Sequence, residues 1–432
     1  MKAIILSLIL LTLLTSCYDN HEPNDLAYAT AIGIDKGTDK NYNITIQFAK
    51  PHNISGGEQG GSGKDIIGNI TVEAPNIYSA IGLGNHIISK TLDMSHLQLF
   101  LFSRETAETG IHNFIETISR SKEIRPNVYT AVCDGEAGEF LKKASPVVDI
   151  NPAKYYQLIF GKSDFRAIPQ SYSQDLYFYM NTPERNSVIP LAGIPETQEG
   201  QSGGSSGGGG NEESSKQDEN SQTTSPNPLH TQTPVNTGIY EFGVRDYKAG
   251  EVEVYSDVKG EVTGGAVFKG DKMIGTLGIA ETQIYNYLTG NDSKNYISFK
   301  TDKSQTPITV LVGLDSLPSI SYNKKKHKTH IKLPLTADFV ALPDDYAAEN
   351  DLEYFEALAA GAVKKQAETL ILRTQREFDS DILGFGEHAK RKFLTLEEFN
   401  LFHWESQYRH MSFEVEIDLD IRRTGLTLRN NM

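Results

Sequence analysis

The stretch Phe413-Glu-Val-Glu-Ile-Asp-Leu-Asp-Ile421 alternates apolar and acidic residues without a break near the end of the chain. Successive side chains of a β-strand point to opposite faces of a sheet, so this run predicts a strand with one buried and one acidic, solvated face. Apolar residues at helical spacing between 347 and 378 predict a long helix that covers the buried face. We therefore assign residues 292–432 to a C-terminal α/β domain.

A β-hairpin is predicted before this domain. Two apolar runs flank Lys269-Gly-Asp-Lys272, whose central Gly-Asp pair suits a turn with positive φ. Together with a short helix over residues 281–288, the hairpin defines a small central domain, residues 238–291. Residues 198–237 are rich in Gly, Ser, Gln and Thr and contain almost no apolar residues, which predicts a disordered insertion or linker.

The earlier part of the chain alternates strand-like and helical segments. The strand-like runs are 27–34, 42–48, 65–72, 97–103 and 128–132, and the helical patterns are 77–88, 106–119 and 138–143. This alternation predicts a mixed α/β domain over residues 17–197. The fold class that follows is α+β: three mixed α/β domains with antiparallel-rich sheets and a long helix in the C-terminal domain.

The first residues have the organisation of an export signal. Lys2 supplies a positive charge, and an apolar stretch follows that is shorter than the roughly 20 residues needed to span a bilayer. It closes with Leu14-Thr-Ser-Cys17, which resembles the lipobox of bacterial lipoproteins. We therefore predict a signal peptide over residues 1–16 and a diacylglyceryl group on Cys17, because two acyl chains hold a protein stably on a membrane. The alternative is an ordinary secretory signal that contains a cysteine.

The net charge and the cysteine content argue against a nucleic-acid-binding protein and against a fold that depends on disulfide bonds. The formal net charge of −15 disfavours nonspecific nucleic-acid binding, which depends on clustered lysine and arginine. Cys17 and Cys133 are the only cysteines, so a lipidated Cys17 leaves no disulfide partner for Cys133. Because Cys133 ends a strand-like run, we expect it to be a small buried residue.

No segment of the chain has all the residues that a known motif for catalysis or cofactor binding requires. Gly161-Lys-Ser163 lacks the first glycine of a phosphate-binding loop. The histidines of His327-Lys-Thr-His330 adjoin a lysine run, which favours an exposed basic hairpin over a metal site. Asp379, Asp381 and Glu387 have no partner histidine or second acidic cluster. We predict no catalytic residues, no cofactor and no metal site.

The segment Asp381-Ile-Leu-Gly-Phe-Gly-Glu387 follows the predicted long helix. Glycine readily takes the positive φ at which helices stop, so Gly384 and Gly386 on either side of Phe385 indicate a sharp turn. A second short helix is predicted over residues 387–392. The structural interpretation is a helix-to-helix turn, and the alternative is a corner that docks a partner through Gly384, Phe385 and Gly386.

In their order along the chain, several motifs resemble the Ger(x)C family, the C-subunit lipoproteins of spore nutrient-germinant receptors in endospore-forming bacteria. They are Cys17-Tyr-Asp19, Ile32-Gly-Ile-Asp35, Leu92-Asp-Met-Ser-His96, Glu123-Ile-Arg125, Gly265–Lys272, Asp381–Glu387 and Ile421-Arg-Arg-Thr-Gly425. The chain departs from the family at Tyr18, where a tryptophan is usual, and in the inserted residues 198–237.

The resemblance implies three mixed α/β domains without enzyme activity. It also implies a lipid anchor on the outer face of the inner spore membrane and assembly with two integral-membrane receptor subunits. Arg422, Arg423 and the basic stretch Lys324–Lys328 are candidate partner contacts. Two other classes stay open: a solute-binding lipoprotein of a transporter, and a secreted enzyme, for which no nucleophile, metal or acid-pair signature is found.

Overall fold

A computed structural model of the chain describes residues 22–39, 41–50, 66–144, 151–161, 167–195, 240–241, 246–252, 260–291, 293–301, 304–341 and 352–423. Within these ranges two β-sheets are flanked by helices, which confirms the predicted α+β class. The predictions for the signal peptide, Cys17 and residues 198–237 lie outside the described residues.

The strands are numbered in chain order. They are β1 (Leu26–Lys36), β2 (Tyr42–Ala49), β3 (Ile67–Ala74), β4 (Thr91–Asp93), β5 (Leu99–Ser103), β6 (Tyr129–Cys133), β7 (Val188–Gly193), β8 (Tyr240–Glu241), β9 (Glu261–Lys269), β10 (Lys272–Leu277), β11 (Asn295–Thr301), β12 (Ser304–Leu314), β13 (Ser319–Asn323), β14 (Lys328–Ala341) and β15 (Ser412–Arg423).

The α-helices are numbered in the same way, after a short 3-10 helix at Pro23–Asp25. They are α1 (Ile77–Ile87), α2 (Arg104–Thr109), α3 (His112–Arg120), α4 (Ala137–Lys143), α5 (Pro152–Ile159), α6 (Ser173–Met180), α7 (Ile279–Thr289), α8 (Leu352–Arg376), α9 (Phe385–Lys390), α10 (Leu396–Leu401) and α11 (Trp404–Tyr408).

The first sheet has the strand order β10-β9-β7-β6-β5-β1-β2-β3, with β4 beside the start of β1. Its central strands β1, β5, β6 and β7 run parallel, whereas the outer pairs are antiparallel. Every residue of β5 and β6 is buried, as expected for parallel strands with helices on both faces. This sheet is therefore mixed, and "antiparallel-rich" describes only the second sheet.

The segment predicted as one helix, residues 106–119, forms two. Gly110 lies between α2 and α3 with a φ of 126°, outside the helical region. The next residue, Ile111, donates its N–H to the carbonyl of Asp271 in the β9–β10 turn at 3.0 Å. The prediction of a single helix is wrong because this contact with a distant hairpin outweighs the local apolar periodicity.

The second sheet has the order β13-β14-β12-β11-β8, and β15 runs parallel to β14 on its other side. The alternation predicted for the closing strand is confirmed, since Val415, Leu419 and Ile421 are buried while Glu414 and Glu416 are exposed. Lysines of β14 lie beside the acidic face and form surface ion pairs with it. Such exposed pairs contribute little stability, so the buried face stabilises this strand.

Helix α8 covers that buried face. Its 25 residues span about 37 Å, and Phe355, Ala359, Val363 and Leu370 form a buried stripe along it. Each fully buried large apolar side chain contributes about 1.5–3 kcal/mol. The helix ends at Arg376, two residues before the predicted end at 378, and the predicted start at 347 lies outside the described residues.

The predicted central domain contributes to both sheet regions. Its hairpin extends the first sheet, with Val267 of β9 paired with Val188 of β7. Its helix α7 packs into the core of the second sheet, where the Tyr287 hydroxyl donates to the Val312 carbonyl at 2.9 Å. The three-domain division stays a prediction, and the hairpin and helix connect the two sheets.

Two further observations bear on localisation and reactivity. Among the described residues, no helix has both the length and the apolar character that crossing a membrane requires. Cys133 is buried, as predicted, and burial raises the pKa of its thiol. A thiol held protonated in this way is a poor nucleophile.

Candidate functional site

The chain leaves α8 through a compact turn, residues 379–386, which we call the Asp381 turn. The Phe378 N–H still bonds to the Arg373 carbonyl at 3.2 Å, and Asp379 then adopts a φ of 48° that ends the helix. Helix α9 begins within this segment at Phe385, with Gly384 as its N-cap at a φ of 75°. The helix-to-helix turn predicted for this segment is therefore present.

Asp381 organises this turn. One carboxylate oxygen accepts the N–H groups of Leu383, Gly384 and Phe385 at 3.2, 2.9 and 3.2 Å. The other accepts the Gly386 N–H at 2.7 Å and the indole N–H of Trp404 at 2.9 Å. Asp381 thereby satisfies amides at the start of α9 that have no partner within the helix.

The burial of Asp381 sets its electrostatics. Burial raises its pKa to about 6, although hydrogen bonds from Gly386, Trp404 and Phe385 and the charge of Arg185 act to lower it. Only the ionised carboxylate can accept all of these hydrogen bonds without placing an O–H donor against N–H donors. At neutral pH the turn is therefore built around a buried negative charge.

Residues of the first sheet region hold the outer side of the turn. The Asn186 N–H donates to the Asp381 carbonyl at 2.8 Å, and the Asn186 side-chain oxygen accepts the Gly270 N–H of the hairpin at 2.9 Å. The Lys269 ammonium contacts both the carbonyl and the carboxylate of Asp379, at 2.8 and 3.0 Å. The Asp381 turn is thus a joint between the two sheet regions, in addition to the connection through the hairpin and α7.

Charged side chains close the edges of this joint. Arg185 lies 4.5 Å from the centroid of the Tyr179 ring and 3.6 Å from the Glu387 carboxylate. Glu184, which is only 7% exposed, pairs with Lys390 of α9. These contacts fix the orientation of α9 relative to the loop before β7.

The three glycine-motif residues predicted as a docking corner are buried. The Phe385 ring is fully buried 5.4 Å from that of Phe413, and Arg185 lies over Gly384. A Cβ on Gly386 would lie 2.3 Å from the Glu184 carbonyl oxygen. In this chain alone a partner would therefore meet the side chains around the turn and not these three residues, and partner contact there stays a prediction.

The other predicted contact residues lie at the end of β15. Arg422 is exposed and pairs with Asp315, which precedes β13. The side chain of Arg423 lies outside the described part of the structure. The pair places Arg422 at the surface, where a partner could reach it.

The candidate chemical residues have structural partners. The His327 ring lies between the Tyr322 hydroxyl at 2.8 Å and the Gln407 side-chain oxygen at 2.9 Å, and His330 faces the acidic residues of β15. Partial burial would raise the pKa of Asp379, but hydrogen bonds from Arg409 and Lys269 lower it below its usual value. Within the described ranges, no group of three or more histidine, cysteine or acidic residues could hold a metal ion.

Sequence reasoning found the turn but not the residues that build it. The glycines drew attention through their backbone freedom, whereas Asp381, Trp404 and Arg185 act through contacts that periodicity does not reveal. The available signal was an aspartate a few residues before a predicted helix, whose first backbone amides have no partner within the helix and can bond to a carboxylate. Trp404 is the only tryptophan of the chain, and its indole N–H donates a hydrogen bond to the Asp381 carboxylate.

Comparison with known proteins gives matches along nearly the whole chain. A family model described as the spore germination protein N-terminal domain matches residues 19–194, and one described as spore germination B3/GerAC like, C-terminal, matches residues 263–425. Spore germination protein KC of Bacillus subtilis is 24% identical over 99% of this chain and 96% of its own length. Spore germination protein GerQC of Bacillus cereus is 19% identical over 99% of this chain and 100% of its own.

A solved structure supports the same fold. The crystal structure of the GerBC protein superposes with a TM-score of 0.50 at 13% identity, covering 90% of this chain and 96% of that one. At this identity the likeness concerns the fold alone. The second family model begins at residue 263, inside β9, so the hairpin and the Asp381 turn lie in the same matched region, whereas Asn186 lies in the first.

Proposed function

Since the chain belongs to the Ger(x)C family of spore germination proteins, which are not enzymes, we propose that it is the lipid-anchored C subunit of a nutrient-germinant receptor. The observation that carries the proposal is the match of both family models, in order, to residues 19–194 and 263–425. In this proposal Cys17 holds the protein on the outer face of the inner spore membrane. There it assembles with two integral-membrane receptor subunits and takes part in germination signalling.

The arrangement of the joint supports a scaffold role. A subunit that transmits a change between partners needs its parts held in a defined orientation. The Asn186 N–H bond to the Asp381 carbonyl and the Lys269 bonds to Asp379 supply such a connection between the two sheet regions, and they are at least partly buried. Two clefts among the described residues, one beside Asn400 and His403 and one beside Lys324–Lys326, are open to solvent and have many polar side chains in their lining, which favours contact with macromolecules over enclosure of a small solute.

The anchor is tested by Cys17→Ala in sporulating cells, with Cys133→Ala as the matched control. We expect the Cys17 variant to leave the membrane fraction and to lose most nutrient-triggered germination, because in this proposal the thiol of Cys17, the first residue after the signal peptide, carries both acyl chains. The Cys133 variant should stay in the membrane fraction, since Cys133 is a buried residue and not the one that carries the lipid in this proposal. Membrane fractionation and loss of spore refractility measure the two effects. Normal fractionation together with normal germination of the Cys17 variant would contradict the proposal.

A further inference from the structure

A groove of about 640 Å³ lies beside the β13–β14 turn, and lysines dominate its lining. Lys324, Lys325 and Lys326 form the turn, and Lys392 lies across the groove. Lys328 also lines it but is paired with Glu414 at 2.8 Å. Among the described residues, no carboxylate lies within ion-pair distance of the other four lysines. This is a concentrated positive surface on a chain whose net charge is −15.

The turn that carries these lysines is held in one conformation. The Asn323 side-chain oxygen accepts the N–H groups of Lys325 and Lys326, each at 3.1 Å. The next residue, His327, has a φ of 51° and its ring is fixed at both nitrogens. The Lys324 ammonium lies 3.8 Å from the centroid of the Phe393 ring, which attaches the turn to the segment after α9. The charges are therefore presented by a fixed framework.

That neighbouring segment exposes aliphatic side chains beside its own cations. Arg391 and Lys392 are exposed, and two residues further on Leu394 is 94% exposed. Leu396 is 57% exposed at the start of α10. The backbone between them is ordered, because the Thr395 hydroxyl oxygen caps α10 by accepting the Glu398 N–H at 3.1 Å. Exposed leucines held on an ordered backbone beside cations are typical of a surface that binds the membrane interface.

We propose that Lys324–Lys326, Arg391, Lys392, Leu394 and Leu396, together called the basic-leucine surface, dock onto an anionic phospholipid bilayer. The lysines attract anionic headgroups, and the leucines enter the boundary between headgroups and acyl chains. The chain as a whole has a net charge of −15, so an anionic bilayer should favour contact through this cluster of cations, which gives the protein a defined orientation. The inference rests on the proposed membrane location and adds to it the face that meets the lipid.

The proposal is tested with Leu394→Trp in the full chain, with Leu317→Trp as the control. Leu317 is 75% exposed near the opposite end of β13 from the lysines, and the native Trp404 is buried and gives a constant background. Each variant is coupled through Cys17 to maleimide-bearing lipids in vesicles whose acyl chains are brominated. The vesicles contain either phosphatidylcholine alone or about 30% phosphatidylglycerol, a charge density that attracts basic surfaces. Chemical coupling makes the result independent of whether cells lipidate Cys17.

In the anionic vesicles we expect bromine to quench the Leu394→Trp fluorescence about twofold more than that of Leu317→Trp, because only the first side chain reaches acyl-chain depth. Replacing Lys324, Lys325 and Lys326 by Gln should remove this difference, and so should phosphatidylcholine alone. Equal quenching at the two positions would overturn the proposal, as would quenching that the Gln variant leaves unchanged. If Leu394→Trp escapes quenching but its emission shifts when the membrane subunits are present, the surface binds a protein and the proposal is wrong.

Discussion

Asp35 and Asp381 are both buried carboxylates that accept the first backbone amides of a short helix, but they connect different parts of the molecule. Asp35 lies in β1 and accepts the N–H groups of Ala137 and Gly138, at 2.6 and 2.8 Å, from α4 on the same sheet. Asp381 accepts the amides of its own turn and the Trp404 indole. Burial is the largest influence on both carboxyl groups, and it raises the pKa of each.

Asp35 makes hydrogen bonds within the first sheet region, whereas Asp381 holds a turn that connects the two sheet regions. Loss of the Asp35 carboxylate would free the start of one helix on the first sheet. Loss of Asp381 would free a turn whose outer side holds Asn186 and Lys269, and so would reach the contact between the two sheet regions. The same local chemistry therefore has consequences that depend on what is attached to it.

The largest effect should come from Asp381→Ala. Removing the carboxylate leaves buried N–H donors without an acceptor, and we expect the free energy of unfolding to fall by about 4 kcal/mol. The matched variant Asp35→Ala leaves only two amides unpaired and should cost about 2 kcal/mol. Urea denaturation of both variants measures the difference. Equal losses would mean that the joint depends little on Asp381.

The second prediction compares the loss of stability when alanine replaces Gly386, which bonds to Asp381, or Gly138, which bonds to Asp35. Gly386→Ala would place a Cβ 2.3 Å from the backbone oxygen of Glu184, which cannot easily move, and we expect a loss of about 3 kcal/mol. Gly138→Ala would meet side-chain atoms, the nearest being the Thr45 hydroxyl at 2.6 Å, and should cost about 1 kcal/mol. Thermal unfolding compares them. A smaller loss for Gly386→Ala than for Gly138→Ala would contradict the rigid packing inferred at the joint.

The smallest of the three effects is in the pH dependence of stability. Because burial raises the pKa of Asp381 to about 6, its contribution is fully present below its unfolded pKa of about 4 and is lost as the pH rises through 6. The wild type should therefore lose about 2–3 kcal/mol more than Asp381→Asn between pH 4 and 7, since the amide does not ionise. Denaturation at several pH values measures both proteins. Parallel profiles would show that Asp381 does not titrate in this range.

The sequence predicted well what depends on local periodicity. The closing strand, the β9–β10 hairpin and α8 all follow from the spacing of apolar residues and from turn chemistry. Contacts between distant segments were missed: the helix break at Gly110 depends on Asp271, and the burial of Phe385 depends on Phe413. The Asp381 site lies between these cases. Its turn has a visible motif, but only packing shows that the aspartate organises it and that the glycines are interior.

The parallel pairing of β14 with β15 has a consequence for how the chain folds. Thr329 and Met411, in contact through the hydroxyl and the sulfur, are 82 residues apart, and the strand that follows Met411 completes the sheet. Such a non-local pairing carries a high loop-closure entropy and forms slowly. Until residues 412–423 have left the ribosome, β14 keeps an open edge, so the second sheet should become fixed only once β15 is available to pair with it.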